Sequence, residues 1–85
     1  MRFVLTRHAQ IEMMRRRISE DLVNQIAHAP EQVVKEHGDI VCYQAKTHGE
    51  GKSYLIRVMI NPTVDPAQII TVYKTSKISK YWRMQ

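Results

Sequence analysis

The period of the apolar residues changes at Pro30, and this change limits the folds open to the chain. Upstream, Ile11, Met14 and Ile18 recur at the i, i+3, i+7 spacing of a helix that buries one face. Downstream, apolar side chains alternate with period two, most clearly over residues 54–60. Helices followed by strands with short connections favour an α+β domain in which neighbouring strands pair antiparallel.

Local signals divide this pattern into the order β-α-α-β-β-β-β. Thr6 and Ser19 are typical helix N-caps, and Pro30 ends the second helix. We therefore expect two N-terminal helices packed on one face of an antiparallel sheet. The predicted elements are a strand over 3–5, helices over 7–17 and 20–29, a strand beginning at 33, strands over 40–45, 54–60 and 69–74, and a short helix within 76–83.

The size and composition of the chain suit one small domain. Eighty-five residues, 44% of them hydrophobic, suffice for a single core over residues 1–85 and not for two. The single cysteine, Cys42, excludes an internal disulfide, and no apolar run approaches the ~18 residues of a membrane span. No charged and apolar leader opens the chain. We therefore expect a reduced, cytoplasmic protein that has no membrane partner.

The charge is unevenly distributed along the chain. The formal net charge is +5 at pH 7, with Lys and Arg in clear excess over 1–18 and 53–85 and acidic residues in excess over 19–52. If the two ends meet in the fold, they form one basic face. Such a face suits a polyanion, most plausibly nucleic acid. A solvated surface without a ligand is the alternative.

Ionisable residues share one side of the first predicted helix. On a helical wheel, His8, Glu12 and Arg15 lie within about 60° of one another, and Arg16 lies next to Glu12. An imidazole can accept a proton near neutral pH, Glu12 could orient it, and arginine can hold a phosphate bidentately. Cleavage of a phosphodiester by its own 2′-hydroxyl needs such groups and no metal. A capping or structural role for His8 is the alternative.

The last predicted strand and the tail after it form a second set of polar residues. Tyr73 and Lys74 end that strand, and the tail carries Lys77, Lys80 and Tyr81. Basic residues interleaved with aromatic ones can neutralise an RNA backbone and stack on splayed bases. The alternative is that the apolar and aromatic side chains of the tail only anchor a terminal helix on the sheet.

Arg57 interrupts the apolar alternation of the strand over 54–60. In an antiparallel meander its side of the sheet also carries Thr71 and Tyr73, which would give a cationic, hydroxyl-bearing surface. A solvent-exposed arginine without a ligand is the alternative.

Other kinds of site are disfavoured. His37, Cys42 and His48 are too widely spaced for a recognised zinc motif, so neither a metal nor another cofactor is expected. The glycine-rich segment 49–51 lies between strands and is typical of a turn rather than of a phosphate-binding loop. Cys42 lies inside an apolar strand, and we expect it to be a small core residue.

Several short motifs resemble a widespread bacterial family of small domains of unknown function. The motifs are Thr6-Arg7-His8-Ala9, Met13, Arg16, Ile18-Ser19, Ile70-Thr71-Val72-Tyr73, Thr75-Ser76-Lys77-Ile78 and Tyr81-Trp82. That family is grouped with the fold shared by barnase, EndoU, the colicin tRNases and RelE. Related small toxins of the RelE, ParE and BrnT kind are mostly metal-independent endoribonucleases neutralised by an antitoxin. The resemblance therefore implies a RelE-like fold of the ribonuclease-toxin type.

By this resemblance the family's histidine falls on His8, its helix arginine on Arg16, and its strand-end Thr-x-Tyr on Thr71 and Tyr73. This chain differs at two positions. Glu12 stands where such sequences often have an arginine one turn after the histidine, which shifts the expected phosphate contact onto Arg15. Arg17 stands between the helices, where a glycine is common.

The predicted function is metal-independent RNA cleavage by the toxin of a toxin–antitoxin pair. His8 would be the general base or acid, Tyr73 or Lys74 would carry the complementary proton, and Arg16 with Arg57 would stabilise the phosphate. The expected RNA contacts are Arg15, Arg57, Thr71, Lys77, Lys80 and Tyr81. The expected partners are RNA, either free or ribosome-associated, and an antitoxin protein. A non-catalytic nucleic-acid-binding module and a protein-interaction module on the same scaffold are the alternatives.

Overall fold

The structure is a computed structural model that describes residues 2–84. It has the α+β class and the element order that the sequence predicts, with a one-turn helix at the C-terminal end. The elements are β1 (Phe3–Leu5), α1 (Arg7–Arg15), α2 (Glu20–His28), β2 (Gln32–Lys35), β3 (Val41–Gly49), β4 (Lys52–Asn61), β5 (Ala67–Thr75) and α3 (Ile78–Tyr81).

The five strands form one sheet in the order β1-β5-β4-β3-β2. The meander β2 to β5 is antiparallel throughout, as its short connections predict. The first strand differs from the prediction, because β1 pairs parallel with the beginning of β5 and makes the sheet mixed. The chain returns to β5 only after crossing both helices and three strands, and no local signal in Phe3–Leu5 specifies that direction.

The helices begin where their caps predict and end earlier than expected. The side chains of Thr6 and Ser19 accept hydrogen bonds from the backbone N–H groups of Ala9 and Leu22. The first helix was expected to reach Arg17, but α1 ends at Arg15 and Arg17 adopts a φ of 54°. This left-handed conformation allows the chain to turn sharply into α2, and it is the conformation that a glycine adopts most easily.

The β3–β4 hairpin is tighter and longer than the sequence predicts. We expected a loop over 48–51, but β3 continues to Gly49 and β4 begins at Lys52. Glu50 and Gly51 form the two-residue turn with φ values of 54° and 76°. Two successive positive φ values are typical of the turn that matches the twist of the paired strands.

Both helices pack on one face of the sheet and enclose the main core. The helix α2 contributes Val23, Ile26 and Ala27 to this core, and α1 contributes Ala9 and Met13. The apolar stripe predicted for the first helix is wrong in two of its three members. Ile11 is 45% exposed and Met14 is 81% exposed, whereas Ile18 beyond the helix end is buried. The helix is rotated so that Glu12, rather than an apolar side chain, is buried beside Met13.

None of the three helices within residues 2–84 has the length and apolar character that crossing a bilayer requires.

Candidate functional site

A row of polar side chains crosses the sheet on the face opposite α1 and α2. Gln32, Gln44, Arg57 and Tyr73 come from four successive strands, and each is paired in register with the next. We call these four residues the polar row. Gln44 is fully buried, and Arg57 is 4% exposed, so the alternative of a solvent-exposed arginine is wrong.

Hydrogen bonds run along the whole row. Gln44 Nε2 donates to Gln32 Oε1 at 2.8 Å, and Arg57 Nε donates to Gln44 Oε1 at 2.9 Å. Arg57 Nη1 donates to the Tyr73 hydroxyl at 2.5 Å, and Arg57 Nη2 donates to Glu36 Oε1 at 2.5 Å. The guanidinium fork therefore has three different acceptors. A planar group with donors in fixed directions can satisfy all three, which a lysine ammonium could not do with the same geometry.

The pKa values of Arg57 and Tyr73 depend on burial and on the interaction between these two side chains. Burial favours the neutral guanidine of Arg57, but the hydrogen bonds to Tyr73 and Glu36 outweigh this effect, and its pKa is raised. Burial also raises the pKa of Tyr73 above its ordinary value, although Arg57 opposes the rise. Tyr73 is consequently a protonated phenol at neutral pH. Its oxygen accepts from Arg57, and a side-chain hydrogen bond with Tyr81 further favours the protonated form.

The C-terminal segment covers the polar row. Gln44 Nε2 donates to the Tyr81 carbonyl at 3.2 Å, and Gln32 bonds both the carbonyl and the N–H of Arg83, at 2.6 and 3.0 Å. The Arg57 guanidinium lies 4.3 Å from the centroid of the Tyr81 ring. The anchoring role expected as one alternative for the tail is therefore present, and two glutamine side chains contribute to it.

The end of α1 reaches the same region from the edge of β5. The Arg16 guanidinium lies 6.0 Å from the centroid of the Tyr73 ring. The two basic segments of the sequence thus meet here, where an exposed arginine and a buried one, Arg57, flank the same phenol. We call Arg16, Tyr73 and Arg57 the phenol site.

Glu12 connects the two arginines at the end of α1. Its carboxylate accepts from Arg15 Nη1 at 2.8 Å and from Arg16 at 3.2 Å. Burial tends to raise the pKa of Glu12, but hydrogen bonds from Arg16 and Arg15 and their charges outweigh it, so the pKa is lowered. Glu12 was expected to orient His8. Its two oxygens instead accept from Arg15 and Arg16, which lie three and four residues further along the same helix.

The other residues expected to bind RNA lie around the phenol site. Thr71 is on the same face of β5 as Tyr73, because side chains two residues apart in a strand share a face. Lys77 precedes α3 and Lys80 lies within it, and both are exposed. Arg15 is also exposed, with 71% of its side-chain surface accessible. These cations lie on segments that border the polar row.

Two of the expected catalytic residues are not brought into contact with Tyr73. His8 is exposed in the first turn of α1, while the groups recorded near Tyr73 are Arg57, Arg16 and Tyr81. Lys74 follows Tyr73 in the strand and therefore faces the opposite side of the sheet, where its Nζ lies 5.0 Å from the Tyr54 ring. An acid role for Lys74 beside Tyr73 is thus excluded by the pleat of β5.

Sequence reasoning missed both glutamines of the polar row and Glu36. Gln44 interrupts the apolar strand β3 just as Arg57 interrupts β4. Two such interruptions in neighbouring strands are a signal of a buried polar pair, since a lone buried polar group is costly. Every buried side-chain nitrogen and oxygen within residues 2–84 has a hydrogen-bond partner.

The surroundings of Cys42 agree with the prediction for that residue. Cys42 is fully buried, as expected of a core residue, and burial raises the pKa of its thiol to about 11. Across the described part of the chain, no group of three or more His, Cys, Asp or Glu residues is arranged to hold a metal ion.

Fold and site together define a small α+β domain with two helices on one face of a mixed sheet and a buried arginine on the other. The family model for a domain of unknown function, DUF4258, matches residues 5–74, which is most of the chain. The chain therefore belongs to the DUF4258 family. Neither the curated proteins nor the solved structures contain a significant match to it.

Proposed function

We propose that this protein is a metal-independent endoribonuclease that serves as the toxin of a toxin–antitoxin pair, with the phenol site at its reactive centre. The observation that carries the proposal is the position of the Tyr73 hydroxyl. It accepts a hydrogen bond from the buried Arg57, and the exposed Arg16 lies over the same ring. The resemblance to RelE-like toxins supports the proposal by analogy.

Tyr73 is the proton donor in this proposal. Attack of a 2′-hydroxyl on the adjacent phosphate expels a 5′-oxygen that must gain a proton. Because the pKa of Tyr73 is raised, the phenol keeps its proton until that step. Arg57 is a positioning residue, since its three acceptors are all within the protein and it holds the Tyr73 oxygen in place.

Arg16 is the cation that contacts the scissile phosphate. Its side chain is 42% exposed, and its partner Glu12 lies on the buried side of the helix. A guanidinium can hold two phosphate oxygens at once and stabilise the charge that develops on them. Arg15, Lys77 and Lys80 border the site and would contact neighbouring phosphates.

His8 is the general base. It lies two turns before Arg16 in the chain, and it is exposed to a substrate that spans α1 and β5. The groups around Tyr73 are Arg57, Arg16 and Tyr81, so a substrate is required to bring His8 and Tyr73 together. In such a case the reacting groups can assemble only in the complex.

Cleavage of a labelled single-stranded RNA in excess chelator tests this assignment. His8→Ala and Tyr73→Phe should each lower the cleavage rate by about a hundredfold or more, as loss of a general acid or base usually does. Products should end in a 2′,3′-cyclic phosphate, and a substrate with a 2′-deoxy sugar at the cut should stay intact. His37→Ala, which removes an exposed histidine from the β2–β3 turn, is the matched control.

Retained cleavage in both variants would refute the assignment of these residues. RNA that is bound but never cut by the wild type would refute catalysis and leave a nucleic-acid-binding module. That second candidate is favoured by one observation: each nitrogen of the Arg57 guanidinium already donates to a protein acceptor. Binding that weakens steeply with salt and persists in Tyr73→Phe would identify it.

A further inference from the structure

A second concave site lies on the helix-covered side of the sheet, where the α1–α2 turn faces the β3–β4 hairpin. It is a cavity of about 230 Å³, and we call it the hairpin pocket. Its volume is just below that of pockets for drug-sized ligands, which suits one ring system with a short polar extension. Its chemistry-bearing lining residues are Arg17, His48, Glu50, Tyr54 and Lys74.

Two cations line the pocket on the side of α1 and β5. Arg17 follows α1, which packs against β5, and Lys74 lies on β5 itself. Lys74 Nζ is 5.0 Å from the centroid of the Tyr54 ring. An ammonium and a guanidinium at one end of a small cavity are suited to a phosphate group.

The part of the pocket formed by the β3–β4 hairpin carries a negative charge. Glu50 lies in the hairpin turn and places a carboxylate there. A carboxylate disfavours a compact anion that would fill the whole cavity, but it can accept hydrogen bonds from N–H groups. The pocket thus suits a ligand that is anionic at one end and carries N–H donors at the other.

Apolar side chains complete the lining of the pocket. They are Ile18, Leu22 and Ile56, and Tyr54 adds an aromatic ring. A nucleobase has a flat aromatic surface that stacks on such a ring, and its N–H groups can donate hydrogen bonds to Glu50. In a nucleotide the sugar joins this base to a phosphate, which the two cations can bind.

We infer that the hairpin pocket binds one nucleotide of single-stranded RNA, with its base against Tyr54 and its phosphate at Arg17 and Lys74. This inference rests on the proposed function, since it assigns a subsite to the same substrate. Arg16 and Arg17 are consecutive and contribute to the phenol site and the hairpin pocket, respectively. An RNA strand that passes the end of α1 would therefore meet one arginine and then the other.

Titration of the protein with cytidine 5′-monophosphate, followed by amide NMR shifts, tests the inference without requiring catalysis. The largest shifts should fall on Thr47, Tyr54 and Lys74. Tyr54→Leu should weaken the affinity by about fivefold or more, the lower end of the effect of losing a stacked base. Inorganic phosphate and ribose 5-phosphate should bind more weakly than the nucleotide, because they lack the base.

Arg17→Gly is the sharpest variant, because glycine suits the φ of 54° at this position and the fold should be retained. It should weaken nucleotide binding, whereas Lys35→Ala on the far edge strand should not. Unchanged affinity in both Arg17→Gly and Tyr54→Leu would overturn the inference, as would equal affinity for phosphate and nucleotide.

Failure of the subsite and failure of the proposed function are distinguishable. If RNA is never cut but the nucleotide binds at Tyr54, only the catalytic proposal fails. If RNA is cut with dependence on His8 and Tyr73 while nucleotide binding ignores Tyr54 and Arg17, only the subsite fails.

Discussion

The polar row and the row next to it on the other face of the sheet are built from neighbouring residues. The polar row is Gln32, Gln44, Arg57 and Tyr73, and the adjacent row on the helix face is Val33, Tyr43, Val58 and Val72. Val58 and Val72 of this second row are buried in the core that the helices enclose, and they depend on contacts that have no fixed direction. Tyr43 packs against that core, whereas Val33 in the edge strand is exposed. The polar row is covered by a short C-terminal segment and depends on directed hydrogen bonds.

This difference indicates what each face is suited to do. An apolar face tolerates changes of shape if its volume is kept, so it stabilises a fold without specifying a reactive geometry. A buried polar network is stable only if every member has its partner, so it fixes side-chain positions closely. The protein therefore holds the Tyr73 hydroxyl on the face where positions are most strictly determined.

The largest expected effect is the loss of Arg57. Arg57→Ala leaves the buried Gln44 and the partly exposed Glu36 without their donor and should lower the free energy of unfolding by about 3 kcal/mol. Urea denaturation measures this, with Lys35→Ala as a surface control. A loss below about 1 kcal/mol would mean that the polar row is not a connected network.

The adjacent residue on the opposite face should matter less. Val58 is fully buried, and Val58→Ala removes two methyl-sized groups and leaves a small cavity. The expected cost is about 2 kcal/mol of unfolding free energy, measured in the same denaturation series. If Val58→Ala costs more than Arg57→Ala, the distinction between the two rows does not hold.

A smaller effect is expected in acid at the edge of the phenol site. Because the pKa of Glu12 is lower in the folded protein than in the unfolded chain, its stabilisation is complete above the unfolded pKa of about 4.3. It is lost as the pH falls through the lower folded pKa. The denaturation midpoint should therefore decrease from pH 5 to pH 2, and less steeply in Glu12→Gln. Parallel curves for the two proteins would contradict this.

The smallest effect is expected from thiol reagents. Cys42 lies on the face of the polar row but is fully buried, and its pKa is raised to about 11. The thiolate is the reactive form, so iodoacetamide should label the folded protein negligibly at pH 8 and the urea-unfolded protein readily. Ready labelling of the folded protein would mean that water reaches this face of the sheet.

Local sequence signals were sufficient to predict the helices and strands, but they did not predict which face of each element is buried. The caps at Thr6 and Ser19 and the alternation in β4 depend on neighbours in the chain, and these elements were predicted. The buried side of α1 was predicted wrongly, because Ile11 and Met14 have helical spacing but point away from the sheet. Tertiary packing around Glu12 determined the rotation of that helix.

The candidate site was predictable only in part for the same reason. Arg16 and Tyr73 were expected at one site, and they lie near each other. Lys74 was grouped with Tyr73 because the two are adjacent, but the pleat of a strand sends adjacent side chains to opposite faces. The partners of Arg57 are Gln44 on β3, Tyr73 on β5 and Glu36 directly after β2. No single segment of the sequence specifies how these strands pair.

The sequence by itself determined the α+β class, the order of the elements, the basic ends and the family, since these depend on residue type and spacing. Only the tertiary structure decided that β1 runs parallel to β5, that Arg57 is buried among three polar partners, and that Arg16 and Arg17 contribute to different sites. These features depend on register and on contacts between distant segments, which form only when the chain is compact.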